Sequence, residues 1–190
     1  MNLKVTHQPS LAPWTLLAFL AIGPAVLRAD NWPQWRGPNG DGISAEKSIP
    51  TTWTSSQNVV WRTPMPGQGG ATPVIWGDTM FVTSADGDDL VLLCLDTNSG
   101  DVRWRRMVTS GNQDARAGEG NSASPSPSTD GQHVWVFFST GVLACYDFNG
   151  TEKWKFDVGE RFGKLEIQFG MASTPLLDGD HLYLQLIHGV

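Results

Sequence analysis

Cysteine is nearly absent. Cys94 and Cys145 are the only two in 190 residues, too few for a disulfide framework. Basic residues are also sparse: 13 Lys and Arg stand against 19 Asp and Glu, for a net charge of -6, and they form no cluster. A nucleic-acid binder needs a basic patch to neutralise phosphate, so this composition argues against that class of partner. After residue 30 no stretch sustains a 3.6-residue apolar period, which makes helix a minor component. No Walker loop, metal-ligand motif or Ser-His-Asp arrangement assembles at useful spacing, so an enzymatic role has no support from motifs.

The first 29 residues stand apart from the rest. Lys4 opens a basic n-region without acids, LAPWTLLAFLAIGPAVL follows as an apolar run, and Ala29 supplies a small residue for cleavage. That order is the pattern of a secretory signal peptide. A retained membrane anchor is the competing reading; Pro13, Gly23 and Pro24 interrupt the run, and it is short of the about 20 apolar residues a span needs. No cysteine lies near the cleavage position to carry a lipid. The expectation is export to the periplasm, cell envelope or extracellular space, with no transmembrane span after cleavage.

What the exported region does have is tryptophan and a repeat. LLCLDTNSGDVRWRR (92–106) and LACYDFNGTEKWKF (143–156) align with one residue deleted from the turn. Each carries a β-rich run ending in Asp (Asp96, Asp147), a turn closing on Gly (Gly100, Gly150) and a strand bearing Trp (Trp104, Trp154). A second shared block lies upstream as ATPVIWGDTMFVTS and SPSTDGQHVWVFFS, and occurs a third time as STPLLDGDHLYLQL. Its proline recurs at Pro73, Pro127 and Pro175, spacings of 54 and 48. Runs such as TMFVT, LVLLCLD and HVWVFF are rich in β-branched, aromatic and aliphatic residues, and Gly-Asp, Asp-Gly and Asn-Gly turns bound them.

Four short antiparallel strands at a period near fifty describe a β-propeller blade, which buries its faces only against neighbouring blades. The predicted fold is therefore all-β: an incomplete propeller of about three blades. Its expected parts are an orphan outer strand near residues 58–64 that carries Trp61, a blade at 70–109, a second at 123–158, and the start of a third at 172–190. A self-contained sandwich of ten or so strands is the alternative. The third unit stops after two strands, so the chain reads as the front part of a larger ring whose C-terminal blades are missing.

The D-x-x-[ST]-G-x-x-x-W pattern, here DTNSGDVRW and the shortened DFNGTEKW, resembles the tryptophan-docking repeat of pyrroloquinoline-quinone (PQQ)-like propellers. That superfamily holds both quinoprotein alcohol dehydrogenases and BamB-type assembly lipoproteins. The block WPQWRGPNGDG resembles the opening of secreted BamB-like members. The resemblance implies that Trp61, Trp104 and Trp154 wedge between blades, a role that suits an indole with a buried ring and an N–H reaching a carbonyl.

Catalytic members of the superfamily hold PQQ with calcium under a ring of adjacent cysteines. No Cys-Cys dipeptide occurs here, and Cys94 and Cys145 are repeat equivalents on separate blades, not expected to meet. Asp86, Asp88 and Asp89 in ADGDD are expected to serve a hairpin turn, because they lack the alternating ligands and distal Glu of a calcium loop. Glu119 and Asn121, in a long loop between blades, are a weak lead to a site. His133 and His181 fall at matching repeat positions and form no zinc cluster.

Two function classes follow. One is a non-catalytic scaffold that presents loops or blade edges to other proteins and needs no cofactor. The other is a PQQ- and calcium-dependent oxidoreductase or its relic. NWPQWRGPNGDG poses the same choice in miniature, a ligand loop or a clasp. No helix signal follows it, as a phosphate cradle would require, so Trp32 and Trp35 are expected to be anchors that pin the N-terminal residues to the propeller.

Overall fold

The computed structural model describes residues 30–47, 49–116, 118, 120–165 and 172–187. Residues 1–29, read above as a signal peptide, and Glu119 lie outside the described residues. Nearly all regular structure is strand. The first sheet joins β1 (Val74–Trp76), β2 (Thr79–Asp86), β3 (Asp89–Asp96) and β4 (Val102–Ser110) as an antiparallel meander. A small hairpin, β5 (Asp114–Arg116) with β6 (Gly120–Asn121), stands in the connection.

The second sheet runs β7 (Ser128–Thr129), β8 (His133–Phe137), β9 (Val142–Asp147) and β10 (Glu152–Asp157), again in sequence order. A five-residue helix, α1 (Val158–Phe162), follows, capped by the Asp157 carboxylate, which accepts from the Gly159 and Glu160 N–H groups. A third unit begins with the hairpin β11 (Leu176–Asp178) and β12 (His181–Tyr183). The fold is an incomplete propeller: sheets stacked face to face, with no closed barrel. Among the described residues no helix is long and apolar enough to cross a membrane.

Turn chemistry sets the register. Gly77-Asp78, Gly87-Asp88 and Gly179-Asp180 each close a two-residue hairpin, pairing Trp76 with Thr79, Asp86 with Asp89 and Asp178 with His181. In each, glycine takes the first central position with φ near +60°, the conformation a type II′ turn demands and an L-residue resists. Asp86, Asp88 and Asp89 thus belong to a hairpin, and Asp86 pairs with Arg105 at 2.6 Å.

The period-2 alternation of the strands sorts side chains between sheet faces. Phe81, Leu90, Leu92 and Cys94 of the first sheet pack against Val134, Val136, Ala144 and Tyr146 of the second, and Trp104 packs at the margin of this core. The second sheet's opposite face brings Phe137 and Leu143 to Val158, where Leu182, Leu184 and Leu186 of the third unit join them. The other face of the first sheet carries Val82, Val91, Leu93 and Leu95. Each sheet is therefore apolar on both faces, which is why a blade depends on its neighbours.

Candidate functional site

The repeat motif is a docking device. The Asp96 backbone carbonyl accepts from the Gly100 N–H at 2.8 Å, and its side chain accepts from the N–H groups of Asn98 and Ser99. Asp147 does the same with Gly150, Asn149 and Thr151. The turn leaves the glycine at φ +77° or +78°, and the absence of a Cβ there makes room for an indole from the preceding unit. Trp61 lies on Gly100 and Trp104 lies on Gly150; a Cβ on either glycine would stand 2.5 or 2.9 Å from the indole.

Each indole N–H donates to the carbonyl that follows the turn Asp, Trp61 to Thr97 and Trp104 to Phe148, both at 2.8 Å. The residue two positions beyond each tryptophan then reaches the turn glycine carbonyl. Thr63 donates from its hydroxyl at 2.5 Å and Arg106 from Nε at 2.7 Å. Trp154 stacks on Phe156 and stays 39% exposed, with no such turn beneath it among the described residues. Residues 58–64, expected as an outer strand, form no regular strand, although Trp61 docks in the same way as Trp104.

Charge serves the same turns. The basic residue before each tryptophan pairs with the turn aspartate: Arg103 with Asp96 at 2.6 Å and Lys153 with Asp147 at 2.8 Å. The Arg103 guanidinium, with the Asn98 N–H, lowers the Asp96 pKa to about 2. Lys153, with the Thr151 N–H, does the same for Asp147, again to about 2. Cys94 and Cys145 are buried free thiols in separate sheets, and burial pushes both up to about 11. Those pKa values remove the thiolate that redox or nucleophilic chemistry would use. His133 lies 3.3 Å from Asp130, and His181 lies 2.5 Å from Asp180. Among the described residues no three His, Cys, Asp or Glu side chains gather as a metal site. Asn121 is buried, and its side-chain amide ties to the Gln68 and Ala123 backbone.

Residues 31–34 lace the units together. Trp32 and Ile75 exchange backbone hydrogen bonds at 2.9 Å, the Thr129 N–H donates to the Pro33 carbonyl at 2.8 Å, and the Leu177 N–H donates to Gln34 Oε1 at 3.3 Å. Ile75, Thr129 and Leu177 are repeat equivalents, each two residues after the shared proline. The Asn31 side chain also accepts from the Gly77 N–H. Consecutive residues thus occupy the innermost strand edges of three successive units. Trp32 folds back onto Gly37, where an added Cβ would stand 2.8 Å from the ring. Trp35 departs from the anchor expectation: it is 52% exposed and carries the Arg36 guanidinium over its ring at 5.1 Å.

A parallel ladder runs beside this clasp. The Thr72 N–H donates to Ser126 Oγ at 2.8 Å, and the Ser126 N–H donates to Thr174 Oγ1 at 3.2 Å. All three residues immediately precede the shared prolines. The hydroxyl at that position in every copy was the available sequence signal for this ladder; nothing in the sequence marks Pro33 and Gln34 as cross-unit partners. The clasp and ladder border a cavity of about 710 Å³, whose lining includes Gln34, Trp35, Arg36, Ser126, Thr174 and Tyr183.

Comparison with solved structures finds the same blade architecture. BamB from Moraxella catarrhalis superposes with a TM-score of 0.51 at 23% identity, over 65% of this chain and 36% of that one. Quinohemoprotein alcohol dehydrogenase ADHIIG from Pseudomonas putida HK5 gives 0.48 at 20% identity, over 66% and 18%. A europium-containing methanol dehydrogenase gives 0.44 at 20%, over 64% and 21%. At these identities the likeness concerns fold alone, and the chain spans about a third of the length of the BamB structure. No curated relative matches the chain. The model of one family matches residues 51–185, well over half the chain and both docking turns. The chain belongs to that family, described as outer membrane protein assembly factor BamB and built from PQQ-like repeats.

Proposed function

We propose that this protein is an exported, non-catalytic PQQ-like propeller that acts as a protein-interaction scaffold at the cell envelope. The family match over residues 51–185 carries the reading, because that family is described by an assembly role. The use of side chains supports it. Asp96, Asp147, Arg103 and Lys153 build docking turns, and Cys94 and Cys145 fill the core. The exposed surface offers partners what they need. β4 is an edge strand in its sheet, and Val102 and Met107 on it are 44% and 58% exposed. An edge strand with exposed apolar side chains can accept a partner through backbone pairing and side-chain contact.

The alternative is a quinoprotein oxidoreductase, which would hold PQQ with calcium near the propeller axis. The lining of the described cavity favours the scaffold reading over that pair. Calcium takes six to eight oxygen ligands, with carboxylates prominent among them, and no Asp or Glu lines the cavity. The two thiols lie in separate sheets and cannot cover a cofactor as neighbours. Neither a cofactor nor a catalytic residue is assigned.

The test is photo-crosslinking of the full-length protein in the cells that export it, with a benzophenone side chain at Met107 and a control at buried Leu92. A discrete adduct from position 107 and none from position 92 supports the scaffold. No adduct from position 107 or from other β4 positions refutes it.

A further inference from the structure

The clasp contains a residue out of place. Gln34 to Gly37 form a four-residue turn in which the Gly37 N–H donates to the Gln34 carbonyl at 2.9 Å, and Arg36 at its third position has φ +67°. A turn with positive φ there calls for glycine or asparagine, since an L-residue pays about 1–2 kcal/mol for that conformation. Strain of this kind clusters at binding sites, where the side chain returns something the backbone gives up.

The Arg36 side chain faces a suitable space. It lies over the exposed Trp35 ring on the wall of the 710 Å³ cavity, within the ~300–1,000 Å³ range of small-molecule sites. Among the described residues no carboxylate pairs with Arg36 and none lines the cavity. The hydroxyls on that wall are donors in waiting. Ser124 Oγ, Ser126 Oγ and Thr174 Oγ1 each accept a backbone N–H, which leaves their protons to point elsewhere. Gln34 accepts through Oε1, so its amide nitrogen is likewise left to donate. Tyr183, 53% exposed, adds a second aromatic face.

Donors, one guanidinium, two ring faces and no opposing acid describe a site for one carboxylate-bearing, acceptor-rich ring with a C–H face. We infer that the Trp35–Arg36 turn and the hydroxyl ladder form a binding site for a carboxylate-bearing sugar of the hexuronate class. Arg36 would grip the carboxylate in a two-pronged, charge-assisted pair, the indole would cover the C–H face, and Ser126, Thr174 and Gln34 would donate to ring and hydroxyl oxygens. This site does not depend on the scaffold reading and would add a saccharide tether to it.

Isothermal titration of the full-length protein with digalacturonate, neutral galactobiose and benzoate tests the assignment. Saturable binding of digalacturonate is expected, with galactobiose at least about tenfold weaker because it lacks the charge-assisted pair. Benzoate should also bind more weakly, because it keeps the carboxylate but lacks the hydroxyl oxygens that Ser126, Thr174 and Gln34 would meet. The R36G variant should lose binding by a similar factor while its Tm holds or rises, because glycine relieves the turn. Trp35→Ala should weaken binding as well. No digalacturonate binding, equal binding of the neutral sugar or benzoate, or an R36G protein that binds like the parent would overturn the proposal.

Discussion

The Trp104 indole packs against Gly150 and donates its N–H to the Phe148 carbonyl at 2.8 Å, joining two sheets that share no strand pairing. Trp61 meets Gly100 and Thr97 in the same way. The aspartate shapes the turn, the glycine leaves the floor bare, and the tryptophan of the preceding unit occupies it. The D…G…W motif is therefore one half of two different joints: its turn receives one indole and its strand supplies the next.

Gly150→Ala tests the joint. The added Cβ meets the Trp104 ring and forces a β-carbon into left-handed backbone, worth about 1–2 kcal/mol before any displacement of the indole. Urea unfolding of the full-length protein should show a loss of about 2 kcal/mol or more, and Gly87→Ala, with open space around its Cβ, should lose only the backbone share. Equal losses at the two sites would contradict the packing role.

Trp104→Ala should cost about 3–5 kcal/mol, the usual range for removing a packed aromatic. Trp104→Phe should recover part of that loss through ring packing but not the hydrogen bond to Phe148. Full recovery by phenylalanine would show that the N–H contributes nothing.

Acid should loosen the docking turns. Asp96 and Asp147 have native pKa values lowered to about 2, by Arg103 and Lys153 first and by backbone N–H groups second. A depressed carboxylate stabilises the fold above its unfolded value, near 3.8, and that contribution fades as pH falls from about 4 towards 2. The Tm of the parent should therefore drop more steeply across that window than that of Asp96→Asn, which has already lost the titrating group. Parallel profiles would rule out the Asp96 contribution.

The two thiols should be silent. With native pKa values pushed up to about 11 by burial, Cys94 and Cys145 should not react with a disulfide reagent at pH 8, and both should react in guanidinium. Rapid labelling of either in the native protein would contradict their core placement.

Much of the fold was legible because the repeat is local. Strand runs, Gly-Asp hairpins and the Asp-turn-Gly-Trp order all fall within one unit, and their periodicity of two and of about fifty follows from pleat and blade. Contacts between units were harder to read. That Trp32, Pro33 and Gln34 would meet Ile75, Thr129 and Leu177 depends on where three strand edges converge, and no local pattern encodes it. Trp35 shows the limit most clearly. Trp32 folds onto Gly37, yet Trp35, three residues on, stays exposed beside Arg36, whose positive φ sequence alone does not reveal. The segment around Trp61 shows another limit: the docking residue is in place, but a strand forms only beside a hydrogen-bonded neighbour, and residues 58–64 have no backbone partner among the described residues.

The choice between scaffold and quinoprotein rests most directly on a titration of the full-length protein with PQQ and calcium, followed by absorbance and by dye reduction with alcohols. The account predicts no saturable spectral change and no alcohol-dependent turnover. Saturable PQQ binding with turnover would contradict it.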